Sequence, residues 1–147
     1  MTDRHTVFLG LGTNLGDREA NIGSAIRLIA GQIGAVERQS PLYRSEPWGY
    51  RSENMFVNVV VRVSTMLTPE QLLHQTQEIE RQLGKTAEHA TERQSGDSIS
   101  PVYHDRPIDI DILLYDDLSI NTPSLTIPHP LMLRRTFVML PLADCLD

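Results

Sequence analysis

Apolar residues recur along this chain with two different periods, and the places where the period changes predict the order of its elements. Thr6 to Leu11 is a short apolar run that reads as a strand and ends in Gly10-Leu11-Gly12-Thr13-Asn14-Leu15-Gly16, a glycine-rich turn. Asp17 stands where a helix N-cap belongs, and Ile22, Ala25, Ile26, Ile29 and Ile33 follow at helical spacing until Gly34 can close the helix. Val36 to Tyr43 predicts a second strand, and Pro41 within it points to an edge or a bulge, because proline cannot donate to a central ladder. A loop follows, Glu46-Pro47-Trp48-Gly49-Tyr50 through Glu53. Phe56 to Ser64 then alternates, with Phe56, Asn58, Val60 and Arg62 on one face and Val57, Val59, Val61 and Val63 on the other. The valine face is expected to be core.

Thr68-Pro69-Glu70-Gln71 combines a cap, an N1 proline and a glutamine at N3, and predicts a second helix carrying Leu72, Leu73, Ile79 and Leu83 as far as Gly84. Lys85 to Pro107 shows no sustained periodicity and predicts a long loop, of a length that compact domains usually keep for function. Asp109-Ile110-Asp111 then runs into Ile112-Leu113-Leu114 as a further strand. Asp116-Asp117 is turn-like, Leu118-Ser119-Ile120 and Leu125-Thr126-Ile127-Pro128-His129 are short segments, and a final helix is expected at about Leu131 to Leu140. The order βαββαβ with an appended C-terminal helix is that of a ferredoxin-like α+β sandwich, an antiparallel sheet with helices on one face. No repeat or linker is visible, so residues 1–147 read as one domain.

Composition narrows the partners. A chain of 147 residues can bury a sizeable core without a staple. The single cysteine, Cys145, excludes an internal disulfide and a thiolate zinc cluster. No run approaches the roughly 18 apolar residues of a membrane span, and Met1-Thr2-Asp3-Arg4-His5 lacks the layout of a signal peptide. A cytoplasmic location with no membrane partner is therefore expected. A net charge of −6 argues against a broad surface for duplex nucleic acid, and an anionic substrate would need local cations or bound metal ions.

Candidate chemistry centres on Asp109 and Asp111. At alternate strand positions they share a face, with Cα atoms roughly 6.6 Å apart. Two such charges repel unless the face is well solvated or a cation lies between them, and a hard divalent ion such as magnesium suits oxygen ligands. Arg106, Pro128-His129 and Arg134-Arg135-Thr136-Phe137 add guanidinium and imidazole groups suited to phosphate oxygens, so together these residues describe a metal-triphosphate site. The glycine-rich run fits neither a Rossmann turn nor a Walker loop, in the second case because Asp17 stands where Gly-Lys-Ser/Thr is required. A tight strand-to-helix turn explains it. Trp48, Phe56 and Phe137 are either core or a stack for a flat heterocycle.

These residues fall into blocks that resemble the 6-hydroxymethyl-7,8-dihydropterin pyrophosphokinase family of folate biosynthesis. The blocks are Gly10 through Asp17, Tyr43-Arg44-Ser45-Glu46-Pro47-Trp48-Gly49, Phe56-Val57-Asn58, Gln77-Glu78-Ile79-Glu80, Arg106 through Ile112, Ile127-Pro128-His129 and Arg135-Thr136-Phe137. The resemblance implies transfer of the terminal diphosphate of ATP to the hydroxymethyl group of the pterin, leaving AMP. It makes Asp109 and Asp111 ligands of two magnesium ions, and Arg106, His129 and Arg135 contacts of the phosphates. Gln77, Glu80 and Ile112 become parts of the nucleotide site. Phe56 and Phe137 become the faces that enclose the pterin, and Asn58 with the backbone around Ser45 and Trp48 reads its polar edge. A ferredoxin-like regulatory module that binds a small ligand without catalysis is the alternative, and it would need neither paired carboxylates nor magnesium.

Overall fold

The structure is a computed structural model that describes residues 4–13, 17–45, 56–91, 108–129, 143 and 145, with the backbone alone at 45, 56 and 85–91. The first strand, β1 (His5–Thr13), buries Val7, Leu9 and Leu11, and helix α1 (Arg18–Gln32) follows. Asp17 caps α1 as its sequence suggests, its Oδ1 accepting from the Ala20 amide at 3.1 Å. Helix α2 (Pro69–Thr91) opens on a capping box: the Gln71 amide donates to Thr68 Oγ1 at 3.2 Å and the Thr68 amide to Gln71 Oε1 at 2.9 Å. Two helices thus start where their side chains dictate.

Four further strands complete the main sheet: β2 (Gly34–Gln39), β3 (Tyr43–Ser45), β4 (Phe56–Thr65) and β5 (Asp109–Tyr115). Their order is β2-β4-β1-β5, with β3 also on β4, and every pair is antiparallel. A small hairpin, β6 (Ile120–Asn121) with β7 (Thr126–Ile127), follows β5. The expected α+β architecture with an antiparallel sheet is present. The helix expected at 131–140 lies outside the described residues.

Val57, Val59, Val61 and Val63 are all buried, in one cluster with Ile22, Ala25 and Ile29 of α1 and Leu72 and Ile79 of α2. Each buried valine contributes about 1.5–3 kcal/mol relative to an exposed one. Both helices therefore cover one face of the sheet. The other face carries a smaller cluster of Phe8, Val60, Leu113 and Cys145. There the Arg62 Nη1 donates to the Cys145 carbonyl at 3.2 Å, tying the last described residue to β4.

Four expectations change. The first strand runs to Thr13, so Gly10 and Gly12 are strand residues and not part of a turn, because pairing with neighbours on both sides overrides glycine's poor strand propensity. Gly34 does not close α1, whose C-cap is Ile33, but opens β2. A Cβ at Gly34 would lie 2.0 Å from the Ser64 carbonyl oxygen, so this close pairing needs glycine. The proline-broken strand is two strands, β2 and β3, on either side of Pro41. Helix α2 continues past Gly84 to Thr91, which removes seven residues, 85–91, from the expected loop. One glycine inside a helix costs only about 1 kcal/mol, and the following Lys, Ala and Glu residues are good helix formers. The remainder of that loop, 92–107, and the loop at 46–55 lie outside the described residues.

Tyr115, 1% exposed, closes the core at the far end of β5 and donates its hydroxyl to the Leu67 carbonyl. Burial first, and then the charges of Asp116 and Glu70, pushes its phenol above the ordinary value. Folding thus favours the protonated form, so this contribution is complete below roughly pH 10, the unfolded value, and is lost as pH rises through the folded one. Tyr115→Phe should lower stability by about 1 kcal/mol at pH 8, or roughly 3 °C in melting temperature. The gap to wild type should narrow above roughly pH 10; a gap that is constant with pH would contradict the assignment.

Candidate active site

The register of three strands builds one face. Gly12 of β1 pairs with Asn58 of β4 on one side and with Asp109 of β5 on the other, while Gly10 pairs with Val60 and Asp111. Cross-strand partners share a face, so Asn58, Gly12 and Asp109 form one row and Val60, Gly10 and Asp111 the next. Strands lie about 4.8 Å apart, which sets Asn58 and Asp109 about 10 Å from each other with no side chain on the residue between them. Ile110 and Ile112 point the opposite way into the helix-side core. The alternation that buries them is what turns both carboxylates outward.

Around these carboxylates the chain adds a histidine and a helix residue. The β6–β7 hairpin is anchored by buried Ile127, and the chain then returns to β5, where the His129 amide donates to the Leu113 carbonyl at 3.1 Å. His129 Nε2 comes within 3.7 Å of Asp111 Oδ1, with the two side chains 20% and 31% exposed. From α2, Glu80 Oε2 accepts the Ile110 amide at 2.7 Å. Glu78, nearby on that helix, is hydrogen-bonded by Arg81, which is the main reason that its carboxyl titrates below the ordinary range. Arg81 is thereby engaged on the helix surface.

Asn58 is buried and donates through Nδ2 to the Tyr43 carbonyl on β3 at 3.4 Å, which fixes the plane of its amide. Ser45 and Phe56 are known by backbone register alone, and they are opposite each other at the start of the β3–β4 pair. Gln77 is exposed on α2, one turn before Glu80. Ile112 is buried, so any ligand contact it makes must come from its backbone. Arg106, Trp48, Arg135 and Phe137 lie outside the described residues. Of the sequence candidates, the structure therefore gathers Asp109, Asp111 and His129, places Asn58 two strands away on the same face, and sets Glu80 against the outer edge of β5.

Reading the sequence alone misses two features of this site. One is the part played by Gly10 and Gly12, which pass for turn residues until β1 is seen to run between β4 and β5. The other is the bond from Glu80 to Ile110, since no local pattern relates a helix carboxylate to one amide of a strand 30 residues away.

The donor set fits a hard divalent cation. Among the described residues no three His, Cys, Asp or Glu side chains form a metal cage. Two partly exposed carboxylates on one face suit magnesium, which commonly takes one or two carboxylates and completes its shell with water and substrate phosphates. Each carboxylate sits at the surface of an ordered strand, so Asp109→Asn and Asp111→Asn should fold normally, with melting temperatures within roughly 3 °C of wild type, equivalent to about 1 kcal/mol. A larger loss in thermal melts would make the pair structural.

The model of the 7,8-dihydro-6-hydroxymethylpterin-pyrophosphokinase family matches residues 8–147. A Porphyromonas gingivalis protein named 2-amino-4-hydroxy-6-hydroxymethyldihydropteridine pyrophosphokinase is 43% identical over 94% of this chain and 88% of its own length. A Bacillus subtilis protein of the same name is 36% identical over 93% of this chain and 75% of its own. Among solved structures, a Plasmodium falciparum HPPK-DHPS crystal structure superposes over 98% of this chain with a TM-score of 0.70 at 16% identity. This chain spans about 40% of the length of that one, and the likeness speaks for the fold.

Proposed function

The chain belongs to the 7,8-dihydro-6-hydroxymethylpterin-pyrophosphokinase family, and on that premise we propose that it moves the diphosphate of ATP onto the hydroxymethyl group of 6-hydroxymethyl-7,8-dihydropterin, leaving AMP, as a step in folate biosynthesis. The observation that carries this reading at the level of the site is the row Asn58–Gly12–Asp109. A polar group suited to a heterocycle edge and a carboxylate suited to a metal-bound phosphate stand on one face, about 10 Å apart. The distance suits two substrates lying side by side. A regulatory module without catalysis is not favoured, since it needs no paired carboxylates.

In the reaction the pterin hydroxyl oxygen attacks the β-phosphorus, the bond from that phosphorus to the α-phosphate oxygen breaks, and AMP departs with the electron pair. The hydroxyl proton passes to solvent, as no side chain among the described residues is an evident base. Asp109 and Asp111 would hold the magnesium, as two ions in this proposal. Bound there, magnesium supplies positive charge that offsets the triphosphate. Asn58, its amide fixed by Tyr43, reads the ring edge and orients the hydroxymethyl group. His129, 3.7 Å from Asp111, would donate to phosphate oxygens. Arg106 and Arg135 would add guanidinium contacts where charge develops on the transferred group. Phe56 and Phe137 would enclose the pterin, with Ser45 and Trp48 at its edge. Gln77 and the Ile112 backbone would line the nucleotide side, next to Glu80, whose carboxylate accepts the Ile110 amide.

This proposal also takes residues 1–147 as a single pyrophosphokinase domain of ferredoxin-like topology, supported by the strand order β2-β4-β1-β5. A cytoplasmic location belongs to it, supported by the use of ATP and the lone cysteine. No helix among the described residues is long and apolar enough to cross a membrane. Neither a nucleic acid nor a membrane is proposed as partner.

Incubation with ATP, Mg²⁺ and the hydroxymethyldihydropterin should give AMP in step with pterin diphosphate, and ADP as the product would contradict diphosphate transfer. Asp109→Asn and Asp111→Asn should each lower turnover by about 10² to 10³ at saturating Mg²⁺, the scale of losing one electrostatic stabiliser. Turnover within about twofold of wild type would refute the metal assignment. Arg135→Lys should fail to restore what Arg135→Ala loses, because an ammonium cannot reproduce a two-pronged guanidinium contact. Full activity in the Lys variant would reduce Arg135 to diffuse charge.

A further inference from the structure

Strand β5 is paired with β1 alone within the main sheet, so its outer edge needs partners from elsewhere. In an antiparallel strand the backbone groups of one residue turn to the same side, and successive residues turn to opposite sides. The Ile110 amide meets Glu80, so Ile110 faces outward and its neighbours Asp109 and Asp111 face β1 through their backbones. Asp109 is the last residue of this ladder, opposite Gly12, and strand ends fray at little cost. Two outward ties hold this stretch: Glu80 on the Ile110 amide at 2.7 Å, between the two carboxylates, and the His129 amide on the Leu113 carbonyl at 3.1 Å, beyond them. The first comes from a rigid support. Glu80 follows Ile79, which is fully buried, so the helix turn that carries the carboxylate is fixed in the core.

We propose that Glu80 is a positioning residue that acts through β5: its carboxylate, bound to the Ile110 amide, sets the spacing and direction of Asp109 and Asp111. The inference rests on the reading of that pair as the magnesium site, and it gives Glu80 a task other than touching the nucleotide. A charged acceptor makes a shorter and stronger bond to an amide than a neutral one. Loss of this tie frees the strand end that bears the first metal ligand, and a displacement near 1 Å in such a group can cost about 10² in rate.

Two variants separate the possibilities. Glu80→Gln keeps an acceptor oxygen at the same reach, while Glu80→Ala removes it. For each, the readouts are hydrogen exchange of the Ile110 amide by NMR, the Mg²⁺ concentration at half-maximal rate, turnover, and the affinity for α,β-methylene ATP, in which the bond that must break is blocked. Glu80→Gln should keep Ile110 protected and turnover within about threefold of wild type. Glu80→Ala should lose that protection, raise half-saturating Mg²⁺ about tenfold and lower turnover by about 10 to 10². At saturating Mg²⁺ its affinity for α,β-methylene ATP should stay within about twofold of wild type, because no nucleotide contact has gone.

A nucleotide affinity that remains weak in both variants at saturating Mg²⁺ overturns the proposal in favour of direct contact. So does an unchanged Mg²⁺ response in Glu80→Ala. If Glu80→Ala does not fold, Glu80→Gln decides: a protected Ile110 with near wild-type turnover supports the proposal, and a protected Ile110 with a tenfold loss of nucleotide affinity overturns it. Asp109→Asn is the control for the underlying reading. If it leaves the Mg²⁺ response unchanged, the metal site itself is wrong; if it shifts that response and Glu80→Ala does not, only the role of Glu80 falls.

Discussion

The two-residue alternation of β5 from Asp109 to Ile112 is the constraint on which the site depends. Ile110 and Ile112 are buried in the helix-side core, against which α2 packs, and this turns Asp109 and Asp111 to the opposite face. A slip of one residue against β1 would drive both carboxylates into the core, where the penalty is several kcal/mol for each ion. The core thus fixes the register, and the register fixes the chemistry. The same logic holds on β4, where the buried valines at 57 and 59 leave Asn58 on the face of the carboxylates.

Between those two strands β1 contributes mainly by what it lacks. Gly10 and Gly12 stand opposite Asp111 and Asp109, and a Cβ at Gly10 would meet the Leu113 side chain at 3.4 Å, an ordinary contact. Glycine weakens a strand, yet here the strand is held by β4 on one side and β5 on the other. Leu113 packs with Phe8 and Val60 beside Gly10, and the register shift between Phe8 and Leu9 lies next to it. The larger core lies on the helix face of the sheet, and the carboxylates lie on the opposite face beside the smaller cluster. That separation lets Asp109 or Asp111 change without loss of the core.

Period and local chemistry made much of this legible. Asp109 and Asp111 announce a shared face by their spacing, the valines of β4 announce the core, and Asp17, Thr68 and Gln71 mark helix starts by the bonds that they go on to make. Pro41 lies between β2 and β3, where it has no amide to donate to a ladder. Tertiary contacts account for what stayed hidden. Gly34 is required by a carbonyl of Ser64, thirty positions along the chain, and not by the end of α1. Helix α2 outruns Gly84 because one unfavourable residue is outweighed by its neighbours. The tie from Glu80 to Ile110 joins a helix to a strand edge, and no window of sequence contains both partners in their relation.

The central claim is that the outward face of β5 binds a divalent cation. Manganese prefers oxygen ligands as magnesium does and broadens the NMR signals of nearby nuclei. Titration of Mn²⁺ in the presence of α,β-methylene ATP should broaden the amides of Asp109, Ile110 and Asp111 first, together with Gly10 and Gly12 across the ladder, while Ile29 of α1 stays sharp. Broadening that begins elsewhere, at Glu78 or Asp116 for example, and leaves the Asp109–Asp111 amides unchanged would contradict the account.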